Sequence, residues 1–212
     1  MMGNINCSNL RNDTLQIAQL TFANGERLGQ TFCPGKKQPV SMTGGWNRDL
    51  NIDLDQIVTA GYQGVVTLME THELHTYHVE DLPEAVRSRG LLWLHAPIRD
   101  EGLPDAAFEA QWPLLARFLY INLLYGDSLI LHCKGGLGRT GLVAARFLIE
   151  ALGLTPMQAI RQIRLTRSQH SIDTGAQEDY VLNRQPGAFL RKHTGLQPLA
   201  LLHTTSRKES LA

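Results

Sequence analysis

Residues 15–22 alternate apolar and polar side chains, Ala23-Asn24-Gly25-Glu26 supplies turn chemistry, and residues 28–32 alternate again. A period of two on either side of a glycine-containing turn predicts an N-terminal β-hairpin. Three later runs, 64–69, 90–95 and 128–132, are apolar at almost every position, the pattern of short strands buried on both faces. Helices are expected between and after them. Asp53 is placed to cap a short helix over 54–60 that Gly61 ends. Residues 71–77 and 82–89 read as two further short helices. Pro104 suits the first position of a long helix running to about Tyr125, with Pro113 inside it as a bend. Helices are also expected at about 139–152, at 157–167 behind a Thr155-Pro156 start, and at 175–183. Residues 33–37 and 97–103 read as loops, and the polar tail from Arg191 is expected to fray. Strands alternating with helices predict an α/β fold, a mainly parallel central sheet flanked by helices on both faces.

Composition narrows the function more than the fold. A chain of 212 residues with 43% apolar and 19% charged residues fits one domain spanning the chain, with a core at about 15–190. Twenty Lys plus Arg balance twenty Asp plus Glu, so there is no basic excess of the kind that nucleic-acid binding uses, and no nucleic-acid partner is expected. The longest apolar runs are too short to span a bilayer and the first residues lack the apolar core of a signal peptide, so no membrane association is expected. Cys7, Cys33 and Cys133 are odd in number and show no metal-ligand spacing. That argues against a disulfide framework and structural zinc, and for a reducing, cytoplasmic location. His72, His75 and His78 lie three apart, but no carboxylate or cysteine set completes a metal site, so exposed positions are expected. No metal or cofactor is expected, and the chain is read as a monomer. Arg48 is read as surface charge.

The chemistry concentrates in residues 129–141, LILHCKGGLGRTG. A buried strand, a glycine-rich turn and a helix start make an anion-binding geometry: unpaired N–H groups point at the loop and the helix dipole adds positive potential. Gly135, Gly136 and Gly138 let the backbone turn inward. The spacing fails for an NTP-binding loop, because Arg139 stands where that lysine would be, and the dinucleotide fingerprint is absent. Instead Cys133 stands at the loop entrance. Inward dipoles and an arginine should favour its thiolate, a strong nucleophile. Lys134, Gly135, Gly136, Leu137, Gly138 and Arg139 would bind phosphate, with the Arg139 fork taking two of its oxygens. Thr140 is placed to donate its hydroxyl to the sulfur, and His132 to orient the loop. Attack on a phosphate ester also needs a proton donor for the leaving oxygen. The loop HAPIRDEGLPD, after the second buried strand, offers Asp100, with Glu101 and Asp105 as rivals.

The segment HCKGGLGRTG resembles the His-Cys-x5-Arg-[Ser/Thr] signature of the cysteine-dependent protein tyrosine phosphatases. HAPIRDEGLPD, HCKGGLGRTGLVAA, QAIRQIR and LGQTFCPGKK together resemble the dual-specificity branch, nearest the kinase-associated phosphatase (cyclin-dependent kinase inhibitor 3) family. The likeness covers about 15–185. It implies a protein tyrosine phosphatase-like fold and a cysteinyl-phosphate mechanism without cofactor. Cys133 would be the nucleophile, Asp100 the general acid and Arg139 the phosphate clamp, while Gln177 falls where relatives hold the attacking water, an exposed helix position being the equal alternative. The implied partner is a phosphoprotein, a kinase among the candidates. In some relatives a second cysteine bridges the nucleophile, a role open to Cys33, though a plain buried or loop thiol is the simpler reading. A phosphoinositide phosphatase, which shares Lys134, and a phosphate-binding pseudophosphatase adaptor are the alternatives.

Overall fold

The computed structural model describes residues 10–11, 14–41, 45–189 and 199–202. Among these residues eight strands and seven helices occur in the order β1 (Leu10–Arg11), β2 (Ala18–Thr21), β3 (Arg27–Phe32), β4 (Lys37–Gln38), β5 (Gly45–Asn47), α1 (Leu50–Thr59), β6 (Gly64–Thr67), α2 (Thr71–Thr76), α3 (Leu82–Arg87), β7 (Leu92–His95), α4 (Ala106–Tyr125), β8 (Leu129–Cys133), α5 (Gly138–Leu152), α6 (Pro156–Thr166) and α7 (Gly175–Leu182). The expected hairpin is β2 and β3, and it supplies one edge of the central sheet, whose order is β2-β3-β8-β6-β7. Within that five-stranded sheet the β2–β3 pair is antiparallel and the other pairs are parallel. Every residue of β6 and β8 is buried, so both faces of the sheet centre are covered, as their unbroken apolar runs require. α4 and α5 pack on β8, while α3 packs on β7 and against α1.

α5 is buried from Gly138 to Ala151, its three charged side chains, Arg139, Arg146 and Glu150, included. Arg146 is neutralised by Glu150 at 2.9 Å and by Glu109 of α4 at 2.8 Å, it also contacts the Tyr180 hydroxyl of α7, and its guanidinium lies over Trp112. A buried cation is tolerated only with such partners.

Four expectations on the fold are corrected. The first helix begins four residues earlier than expected, at Leu50, with Asp49 as its cap: Oδ1 accepts from the N–H groups of Asn51 and Ile52. Asp53 lies inside that helix, buried, and takes Arg48 in a two-pronged ion pair, with Nε at 2.8 Å and Nη2 at 2.7 Å. Arg48 is therefore an interior residue, 2% exposed, and not surface charge. Pro104 precedes α4, and the cap is Asp105, whose Oδ1 accepts from Phe108 N at 2.8 Å. α4 does reach Tyr125 with Pro113 inside it, as expected. Part of the tail expected to fray is docked: Ala23 N donates to Ala200 O at 2.8 Å, Leu202 N to Thr21 O at 2.9 Å, and Leu199 is buried. The rest of the tail and Cys7 lie outside the described residues. The short sheet β1-β5-β4 is unanticipated, since strands of two or three residues carry no periodicity.

Candidate active site

The parallel strands all point the same way, so their carboxyl ends converge on one edge of the sheet, where α/β folds place ligands. β8 is central and delivers Cys133 there, flanked by Phe32 of β3 in register with it and by Thr67 of β6 beside His132. The loop that follows folds back over the sulfur, and Gly136 N donates to Cys133 Sγ at 3.2 Å. Gly136 has φ of 70°, and a Cβ there would lie 2.3 Å from Thr31 O, so only glycine permits this turn. α5 starts at once, at Gly138, with no side-chain cap, which leaves its first N–H groups for a ligand.

Arg139 is 2% exposed, and its fork is aimed by fixed acceptors. Glu73 of α2 takes it bidentately, Oε2 to Nη1 at 2.6 Å and Oε1 to Nη2 at 2.9 Å, while Ile98 O accepts from Nη1 at 2.9 Å. Glu73 also closes the capping box of α2 by accepting from Glu70 N at 2.8 Å. Asp100 reaches the same place from the loop after β7, accepting from Arg139 Nη2 at 2.9 Å and pairing with Lys134 Nζ. The structure thus brings Asp100, distant in sequence, to Cys133, Lys134 and Arg139 of the one loop. Of the rival acids, Glu101 lines the same pocket and Asp105 is spent on the α4 cap.

His132 is fully buried, and burial, helped by the Arg139 charge, pushes its pKa down to about 3. The imidazole is neutral. Trp93 Nε1 donates to Thr67 Oγ1 at 3.0 Å, and the Thr67 hydroxyl shares a second hydrogen bond, of 2.8 Å, with His132 Nε2. Thr140 departs from its expected contact: its hydroxyl is buried and makes no hydrogen bond among the described residues, to the sulfur or otherwise. Gln177 is wholly buried, donates to Gly102 O at 3.1 Å and leaves Oε1 unpartnered at the pocket wall. Asp100, Glu101, Lys134, Gly135, Leu137, Gly138, Asp173 and Gln177 line a pocket of about 200 Å³ over Cys133 and Arg139. Asp173 is so close to Gly138 that a Cβ there would lie 2.2 Å from its Oδ1, and burial, with Glu101 and Asp100 nearby, pushes its carboxyl up.

Four residues escaped the sequence reading: Glu73, Asp173, Lys36 and Arg167. Glu73 left one signal, a carboxylate on the short helix after a buried strand that ends beside the loop. Cys33 is a free thiol, buried beside the site, and burial pushes its pKa up. His72, His75 and His78 are exposed, as anticipated. Among the described residues no group of three or more His, Cys, Asp or Glu is placed to hold a metal, and no helix is long and apolar enough to cross a membrane.

The architecture and the loop define a protein of the tyrosine and dual-specificity phosphatase fold. The structure of a kinase-associated phosphatase, with its catalytic-site cysteine replaced by serine, superimposes with a TM-score of 0.70 at 28% identity, covering 81% of this chain and 94% of that one. Tk-PTP in its active form shares the fold, with a TM-score of 0.56 at 24% identity over 78% of this chain and 93% of that one. The family model for cyclin-dependent kinase inhibitor 3 matches residues 18–160, and the chain belongs to that family. The cyclin-dependent kinase inhibitor 3 proteins of Rattus norvegicus and Homo sapiens are each 32% identical over 135 residues, 63% of this chain and 62% of the relative. The match thus spans under two thirds of those relatives' length.

Proposed function

We propose that the chain is a cysteine-dependent phosphatase of phosphoproteins, working through a cysteinyl-phosphate. One observation carries this: Cys133 Sγ, a guanidinium anchored by Glu73 and the Asp100 carboxyl converge on one small pocket at a helix N-terminus. A phosphomonoester entering there meets the N–H groups of the loop and the Arg139 fork, donors fixed before the charge develops. The Cys133 thiolate attacks phosphorus in line and the P–O ester bond breaks. Asp100 gives its proton to the leaving oxygen. The phosphate takes the donors of Arg139 and Lys134 that Asp100 holds in the free protein. Water, held by the free Oε1 of Gln177, then attacks the cysteinyl-phosphate with Asp100 as base, releasing inorganic phosphate and the thiolate.

Asp100, Glu101 and Asp173 ring the pocket beside Lys134 and Arg139. Three carboxylates repel a polyphosphorylated lipid headgroup, which disfavours the phosphoinositide reading. An intact nucleophile, clamp and acid in one pocket disfavour a pseudophosphatase. The relative's name, kinase-associated phosphatase, makes a kinase the first phosphoprotein to try, with phosphotyrosine and phosphoserine/threonine both as targets. A cytoplasmic monomer completes the reading. The test is hydrolysis of para-nitrophenyl phosphate and a phosphopeptide panel by wild type and Cys133→Ser. Turnover in the wild type and none in the variant is expected, and full turnover in the variant would overturn the mechanism.

A further inference from the structure

Besides Arg139, two cations grip the phosphate loop from outside. Lys36 is 4% exposed, and its Nζ donates to Lys134 O at 3.1 Å while sitting 4.0 Å from the Trp46 ring centroid. Arg167, at the end of α6, donates from Nε to Gly136 O at 3.2 Å and from Nη2 to Gly135 O at 3.5 Å. Among the described residues neither forms an ion pair with a carboxylate, unlike Arg48, Arg139, Arg146 and Arg164. Three successive carbonyls, 134, 135 and 136, are therefore pulled outward by positive charge, the first shared with Cys33 N.

A trans peptide unit directs its N–H opposite to its C=O. Holding the carbonyls of Lys134, Gly135 and Gly136 outward therefore turns the N–H groups of Gly135, Gly136 and Leu137 inward. The middle unit shows it: Gly135 O is held by Arg167 while Gly136 N points at Cys133 Sγ, 3.2 Å away. We propose that Lys36 and Arg167 are positioning residues that set the anion nest, holding three carbonyls outward and adding positive charge behind the phosphate.

The proposal rests on the phosphatase reading for its purpose, though not for its geometry. Burial of an unpaired ammonium opposes folding, and it pushes the Lys36 pKa down to about 8. A side chain kept for stability alone would not carry that charge here. The charged and titratable groups facing Lys36 are Cys33 and Cys133, which favour its protonation, and Lys134 and Arg48, which oppose it. The ammonium is charged at neutral pH and loses its proton as pH rises through about 8.

The experiment is inorganic phosphate binding by calorimetry, with kcat and KM on para-nitrophenyl phosphate and the rate of Cys133 alkylation by iodoacetate. The variants are Lys36→Met, Arg167→Met, Lys36→Arg and, as a charge-matched control on the exposed neighbour, Lys37→Met. Lys36→Met and Arg167→Met are each expected to weaken phosphate binding about ten-fold, the scale of one lost charge contact. Alkylation should slow and kcat should fall more than KM rises. Lys36→Arg should restore most of the binding, and Lys37→Met should change nothing. Wild-type phosphate affinity should fall above pH 8, and that of Lys36→Arg should not. Lys36→Met should melt no lower than the wild type. Phosphate affinity unchanged in both methionine variants, or lost equally in Lys37→Met, overturns the proposal. If Lys36→Met fails to fold, the pH dependence of Lys36→Arg against wild type decides. A wild type that binds phosphate but never turns over ester would refute the enzyme and leave the clamp to be judged on binding.

Discussion

Replacing Glu73 by glutamine keeps the size of the side chain and one carbonyl acceptor, so the α2 cap to Glu70 N survives. It removes the charge opposite Arg139 and puts an amide where Oε1 now accepts from Nη2 at 2.9 Å. Donor would then face donor beside a guanidinium 2% exposed. Breaking a buried ion pair costs about 3–5 kcal/mol, because one charge is left unpaired out of water. The retained acceptor, with Asp100 still on Nη2, brings this to about 2–4 kcal/mol. At this chain length 1 kcal/mol moves Tm by roughly 2–4 °C, so a fall of roughly 4–16 °C is expected. Catalysis should suffer separately. An arginine turned away from the developing charge removes a transition-state donor, and kcat should fall on the order of 10²-fold. Differential scanning fluorimetry and steady-state kinetics on one preparation read both quantities. A Glu73→Gln protein melting with the wild type and turning over at its rate would refute the view that this carboxylate aims Arg139.

Further outcomes follow from the same geometry. Cys133→Ser should lose turnover while still binding inorganic phosphate, as calorimetry would show. Asp100→Asn should lower kcat by roughly 10²–10⁴ and tighten phosphate binding, since a competing carboxylate leaves Arg139 and Lys134; looser binding would count against that ion pair. His132, with a pKa near 3 in the fold and about 6.5 unfolded, binds its proton only in the unfolded chain between those values. Its stability contribution is therefore complete above about pH 6.5 and lost as pH falls towards 3, on the order of 3–5 kcal/mol across the window. Urea titrations of wild type and His132→Asn at several pH values should show that slope only in the wild type. Gly136→Ala adds a Cβ 2.3 Å from Thr31 O in a left-handed conformation, so phosphate binding should be lost even if the fold survives.

How much of this was legible beforehand depends on range. The buried strands β6 and β8 and the hairpin were visible because an unbroken apolar run and a period of two are local signals. The start of α6 was visible because Thr155-Pro156 is a local cap, and Thr155 Oγ1 accepts from Gln158 N at 3.3 Å. The first helix was misplaced because two aspartates, Asp49 and Asp53, can each cap. Which one does is settled by Arg48, whose guanidinium needs a buried carboxylate and takes Asp53. Thr140 was expected on the sulfur because spacing says nothing of how the hydroxyl points at the start of a helix.

The loop from His132 to Gly141 carries its chemistry in its own sequence, because one contiguous segment supplies nucleophile, glycines and guanidinium, and Asp100 was legible as a carboxylate on the right loop. Glu73, Lys36 and Arg167 were not, since each acts on that loop across a long sequence separation and leaves no local pattern. The amino-acid sequence determined the reacting groups and the secondary structure that holds them. Only the tertiary structure decided what aims them, because a buried charge takes whatever partner the strand order brings alongside it, and strand order is written in no single stretch of the chain.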